Sequence, residues 1–216
     1  MSRSRAVLFD FDGTLADSAP DLAAALNGLR AAKGLDPLPV EAVRPFASMG
    51  ARGMLRAGFG LTPQDGEFEP LMDAFLAHYD ERVCVDTRLF PGIRELLGAL
   101  AERSITWGVV TNKSSRFAGR ILEALGLSPA CVVCGDSTPH LKPHPAPLHL
   151  AARTLGIAES QCWYLGDDLR DVQAARAAGM KAVAVEWGYL NPDNAPPHAW
   201  NADLLLAAPQ ELLEHL

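Results

Sequence analysis

The chain has 216 residues, 49% of them hydrophobic, and a formal net charge of −7. That length buries one substantial core with room for a smaller second one. The negative balance argues against a nucleic-acid or acidic-membrane partner, no stretch approaches the length of a membrane span, and four cysteines in a chain this long do not resemble a secreted disulfide framework.

The basic start Met1–Arg5 leads into an apolar run that is broken at Asp10 and Asp12, too soon for a signal-peptide core, so a soluble, cytoplasmic protein is expected. Residues 6–13 read as a buried strand with a polar tip. The next stretch, residues 17–86, has helical patterns over 21–33, 40–46, 50–59 and 67–84 and almost no strand-like run. It is too long for a crossover and long enough for a small helical insert. Within it, residues 48–53 read as a glycine-bearing connection that offers one cation, Arg52.

From residue 87 onward the rhythm changes. Short apolar runs at 105–111, 131–135, 161–166, 181–186 and 203–206 read as strands, and most are separated by helical patterns over 91–103, 114–124, 145–155 and 168–179. Such alternation implies an α/β fold with a mostly parallel sheet covered on both faces. Cys131 and Cys134 form a CxxC inside one strand run, where residues three apart face opposite sides, so they read as core cysteines and not as a redox or zinc pair. His140 and His144 stand at i,i+4, but Pro143 and Pro145 exclude a metal-binding helix there. The loop at 191–197 is turn-rich and expected on the surface.

Ligands of a parallel sheet bind beyond the carboxyl ends of its strands. Asp10 and Asp12, two apart on an extended segment, direct both carboxylates to one side. A carboxylate needs no deprotonation to attack phosphorus, and the acyl-phosphate it forms is opened by water. The approach of two anions calls for a hard cation, which Asp10, Asp167 and Asp171 can hold; oxygen-only ligation suits Mg2+ better than zinc. Thr111, Asn112 and Lys142 then read as donors to phosphoryl oxygens. Taken singly, each of these is an ordinary turn or cap residue. Their joint occurrence, each at a strand end or in the loop beyond one, is not ordinary.

These residues resemble the ordered motifs of the haloacid dehalogenase superfamily: Asp10-Phe11-Asp12-Gly13-Thr14-Leu15, Thr111-Asn112, Lys142-Pro143 and Gly166-Asp167-Asp168-Leu169-Arg170-Asp171. Within it the chain is most similar to phosphoglycolate phosphatases. A closer likeness, to bacterial N-acetylmuramic acid 6-phosphate phosphatases, is carried by residues 107–113, 166–171 and the Gly188-Tyr189 segment. The resemblance implies a Rossmann-like core (1–16 and 87–216) with an inserted helical cap (17–86), and a magnesium-dependent phosphatase acting on a small phosphorylated metabolite, with no protein partner. It implies Asp10 as nucleophile and metal ligand, Asp12 as acid/base with its carbonyl on the metal, Asp167 as metal ligand, Asp171 as a supporting metal-shell acid, Lys142 as catalytic cation, and Thr111, Asn112 and Gly13 as the phosphate site. Substrate choice is expected in the insert, at Gly50 and Arg52. Asp168 stands where many relatives have a small hydroxyl residue, and its role is left open. A dehalogenase would leave Asp12 idle, and a non-catalytic binding module would not be expected to keep Asp10, Lys142 and Asp167 together.

Overall fold

The computed structural model describes residues 6–216, so the basic stretch Met1–Arg5 lies outside it. The first apolar run forms β1 (Ala6–Phe9), fully buried along its length. Its side chains alternate between two core clusters, Val7 and Phe9 in one, Ala6 and Leu8 in the other, which is what a strand covered on both faces requires. After a tight turn, β2 (Ala16–Asp17) leads into four helices: α1 (Ala19–Ala32), α2 (Val40–Val43), α3 (Gly50–Phe59) and α4 (Phe68–Glu81). The chain returns through β3 (Arg88–Leu89), antiparallel to β2. This ribbon was not legible in the sequence, because two-residue strands carry no periodicity.

The rest alternates as expected: α5 (Ile93–Glu102), β4 (Thr106–Val110), α6 (Ser115–Ala124), β5 (Val132–Val133), α7 (Ala146–Leu155), β6 (Cys162–Gly166), α8 (Leu169–Ala177), β7 (Lys181–Val185) and β8 (Leu204–Leu206). Six strands pair in parallel in the order β5-β4-β1-β6-β7-β8. At the sheet edge β5 is only two residues long and Val132 is 39% exposed, so that run is an edge strand and not a buried one. Cys131 and Cys134 are buried free thiols. Ser114 caps α6 by accepting from the Arg116 N–H, and Gly156 closes α7 in the left-handed region.

One expectation for a connecting segment is corrected and another is refined. Residues 48–53 are not a loop: a 3-10 helix over Arg44–Met49 runs directly into α3, with Gly50 at φ +59° taking up the change of direction. Gly53 permits this closeness, since a Cβ there would sit 2.1 Å from the Phe46 carbonyl oxygen. The 191–197 loop is largely exposed, but Asn191 is buried, with its Nδ2 donating to Asp168 at 3.4 Å.

Both chain passages between the insert and the sheet are held by one carboxylate. Asp21, fully buried in the first turn of α1, accepts from the backbone N–H groups of Asp86 (3.0 Å) and Thr87 (2.8 Å) and from the Thr87 hydroxyl (2.7 Å). Asp21→Ala leaves the buried N–H and hydroxyl of Thr87 unpaired, each costing about 1–3 kcal/mol, and frees the Asp86 N–H as well. A loss of about 3 kcal/mol or more is expected, seen as a melting temperature lower by roughly 6–12 °C.

Candidate active site

Strand order decides which residues meet. β1 lies between β4 and β6, with Phe9 in register with Val109 on one side and Leu165 on the other. Asp10, Thr111 and Asp167, just past the ends of these three strands, therefore emerge side by side at the point where the strand order reverses. Asp171 joins them from the first turn of α8. Asp168, whose role was open, is the N-cap of that helix and shares a capping box with Asp171. The Asp171 carboxylate is thereby aimed, with Oδ2 accepting from the Asp168 N–H at 3.1 Å.

Lys142 reaches the cluster from the loop after β5. Asn112 fixes it there: the Asn112 amide donates to the Lys142 carbonyl (3.1 Å) and accepts from the Lys142 N–H (2.9 Å). The Asn112 side chain thus positions the lysine. The Lys142 ammonium, 5% exposed as a residue, lies 2.8 Å from both Asp10 Oδ1 and Asp171 Oδ1 and donates to the Tyr164 hydroxyl at 2.7 Å. That hydroxyl in turn donates to the Val110 carbonyl at 2.7 Å.

Asp167 is fully buried and pairs with none of the described cations; it accepts from Thr14 Oγ1 (3.2 Å), Ser48 Oγ (3.0 Å) and the Tyr189 N–H (2.9 Å). Glycines flank it on two sides. A Cβ on Gly13 would lie 2.1 Å from Asp167 Oδ2, and one on Gly188 would lie 2.2 Å from Asp167 Cβ. Gly13, at φ +86°, gives its N–H to the Ala16 carbonyl at 3.0 Å. It forms a turn that leaves room for Asp167.

Candidate ligand atoms of Asp10, Asp167 and Asp171 all lie within 4.8 Å of one another. Three buried carboxylates face a single ammonium, and two of them, Asp10 and Asp167, are shifted upward. Burial first, then Asp171 and Asp12, push Asp10 up to about 7 against the opposing pull of Lys142. Burial and the neighbouring Asp10 and Asp171 hold Asp167 well above the usual carboxylate range. Hard oxygen donors crowded with uncompensated negative charge fit a divalent cation.

Asp12 faces the same cavity but turns its carboxylate away from this cluster. Lys113 Nζ donates to both of its oxygens at 3.0 Å, and the Ser18 hydroxyl donates to Oδ1. The Lys113 ammonium is itself nearly enclosed, 5.0 Å from the centre of the Tyr79 ring. Burial works against its charge, but Asp12 and Tyr79 outweigh burial and its pKa is raised. Asp10, Asp12, Thr111, Lys113, Lys142 and Asp171 open on a cavity of about 300 Å³. Its floor is polar, and its opposite wall carries Leu22 from α1, Met72, Phe75 and Leu76 from α4, and Phe117 from α6. Gly50 and Arg52 line it at the start of α3, where Arg52 is exposed and forms no ion pair among the described residues. Arg170 ties the insert to α8: it pairs with Asp168 (Nε to Oδ1, 2.8 Å) and donates to the Ser48 carbonyl at 2.9 Å.

Sequence reasoning brought together Asp10, Asp12, Thr111, Lys142, Asp167 and Asp171. It assigned no part to Lys113, Ser18, Ser48, Tyr164 or Tyr189. Lys113 carried one usable signal, its place immediately after Thr111-Asn112 at a strand end. Tyr189 stood out only through the family likeness of the Gly188-Tyr189 segment, which gives it no role: its hydroxyl, 3.0 Å from the Ala19 N–H, caps α1 from 170 residues away.

A family model for haloacid dehalogenase-like hydrolases matches residues 7–185. The chain is 46% identical over 216 residues to an N-acetylmuramic acid 6-phosphate phosphatase of Pseudomonas aeruginosa, covering 99% of this chain and 95% of the relative. It is 43% identical over 212 residues to a phosphoglycolate phosphatase of Xanthomonas campestris pv. campestris, covering 97% and 95% respectively. The crystal structure of a predicted phosphoglycolate phosphatase from Haemophilus somnus superposes with a TM-score of 0.86 at 29% identity, covering 100% of this chain and 99% of that one.

Proposed function

Since the chain belongs to the haloacid dehalogenase-like hydrolases, we propose that it is a magnesium-dependent phosphatase in which Asp10 takes the phosphoryl group of a small phosphorylated metabolite and Asp12 moves the proton. The observation that carries this is the single buried cluster of Asp10, Lys142, Asp167 and Asp171, with Asp12 facing the same cavity on a separate partner set.

Asp10 is positioned as nucleophile at the tip of β1, its carboxylate held by Lys142. Asp12 protonates the leaving oxygen and then accepts a proton from the water that opens the acyl-phosphate; Lys113 and Ser18 hold it oriented for both steps. Lys142 and the Thr111 hydroxyl stabilise the equatorial phosphoryl oxygens. Asp10, Asp167 and Asp171, with the Asp12 carbonyl, would hold the cation, which when bound offsets the repulsion between nucleophile and phosphate. Residues 17–86 act as a cap that closes over the organic part of the substrate, and the cell compartment is the cytoplasm. Among the described residues no helix is long and apolar enough to cross a membrane. A dehalogenase would give Asp12 and its ion pair with Lys113 nothing to do.

Two substrates follow from the names of the relatives, 2-phosphoglycolate and N-acetylmuramic acid 6-phosphate. The cavity wall favours the second. A carboxymethyl group brings one methylene to Leu22, Met72 and Phe75, whereas the acetyl and lactyl groups of the sugar each bring a methyl. The deciding assay is hydrolysis of p-nitrophenyl phosphate, followed by kcat/KM on the two named esters. Turnover is expected with magnesium and none after chelation. Turnover that persists in excess chelator would refute the metal-dependent phosphatase.

A further inference from the structure

We propose that the Tyr79 hydroxyl and the Lys113 ammonium together read the organic part of the substrate, taking an acceptor on the leaving alcohol, a carboxylate or a hydroxyl. This rests on the phosphatase reading above. Tyr79 lies on α4 and lines the cavity, and it is only 2% exposed. Its ring cannot turn aside, being stacked on Phe75 at 6.3 Å and met edge-on by Phe117 at 5.1 Å. Yet its hydroxyl has no hydrogen-bond partner among the described residues. A buried polar group without a partner is costly, and a fold retains one where a ligand completes it.

Lys113 supplies the second half. Two of its three N–H groups are engaged by the Asp12 oxygens, and the ammonium stands against Tyr79, 5.0 Å from the ring centre, so the two groups face one another at the cavity. Two donors, one of them charged, thus stand together beside the residue that protonates the leaving oxygen. Leu22, Met72 and Leu76 line the same cavity, and their apolar side chains strengthen a hydrogen bond made beside them. Donors without acceptors in such a setting select an oxygen-bearing, preferably anionic, leaving group close to the ester bond, and they reject one that lacks it. Arg52 lines the same cavity from the start of α3, where it is exposed.

The test is Tyr79→Phe, which removes the hydroxyl and keeps the ring, assayed with magnesium on 2-phosphoglycolate, N-acetylmuramic acid 6-phosphate and phenyl phosphate. On the better of the two acids kcat/KM is expected to fall about 10- to 100-fold, and on phenyl phosphate less than about threefold. The melting temperature should stay level or rise, because an unpartnered buried hydroxyl has been removed. Equal losses on all three esters, or a melting temperature lowered by several degrees, would show that the hydroxyl serves packing and overturn the proposal. No loss on either acid would show that it meets only water, with the same consequence. A wild-type enzyme that prefers phenyl phosphate to both acids also overturns it while leaving the phosphatase intact; no turnover of any of the three would sink both.

Discussion

Asp10→Asn is expected to abolish turnover while leaving the protein folded. The carboxylate is the proposed nucleophile, and an amide of nearly the same shape cannot form the acyl-phosphate, so a loss of at least about 10⁴-fold is expected. Folding should survive because the substitution acts on an overcrowded cluster. Asp10, Asp167 and Asp171 are three buried carboxylates facing one ammonium, and Asp10 is already pushed up to about 7 by burial and its neighbours. Removing one negative charge relieves repulsion, and the asparagine oxygen still accepts from Lys142. The melting temperature without metal should therefore equal or exceed that of the wild type, and the stabilisation by added magnesium should shrink, since one ligand charge is gone. Acid quenching during turnover of a radiolabelled ester should trap phosphate on the wild-type protein and none on the variant. A variant that keeps as much as about a tenth of wild-type turnover would exclude the covalent route.

Lys142→Met is expected to cost both activity and stability, in contrast to Asp10→Asn. The lysine is the single ammonium inside the cluster, 2.8 Å from Asp10 and 2.8 Å from Asp171, with its side chain 3% exposed. Methionine fills a similar volume, so packing is largely kept and the effect is electrostatic. Breaking a buried ion pair from one side strands the opposing charge, at about 3–5 kcal/mol, which corresponds to a fall of roughly 6–20 °C in melting temperature for a chain of this size. The phosphoryl oxygens also lose a cation, and kcat should drop by at least about 10²–10³-fold. Thermal melts in chelator and with magnesium, alongside p-nitrophenyl phosphate turnover, separate the two effects: magnesium should recover much of the stability and little of the rate. An unchanged melting temperature in chelator would mean that the folded state holds these carboxylates neutral, and the charge account of the site would be wrong.

The two variants differ because of a charge count that residue spacing does not supply. Asp10, Asp12, Lys142, Asp167 and Asp171 were legible in the sequence, since each stands at the end of an apolar run or in the loop after one, and a parallel sheet gathers such ends at one edge. The short apolar runs also determined the α/β class and most of the helices, because burial on both faces of a strand needs consecutive apolar residues and a covering helix needs a 3.6-residue repeat. The stretch 17–86 announced itself as helical by the same rule.

What the tertiary structure alone decided are the partnerships that join residues distant in sequence. No local pattern shows that Lys113 pairs with Asp12 101 residues away, that Tyr189 caps α1, or that Asp21 holds Thr87. The same holds for Asn112 and Gly13, whose residue types suited phosphate binding. The Asn112 side-chain amide is engaged by Lys142 and the Gly13 N–H by Ala16, partners settled by which backbone groups packing brings within reach. Periodicity reports which face of an element is buried. The partner it is buried against depends on strand order and on how the insert is seated over the sheet, and those follow from the packing of the whole chain.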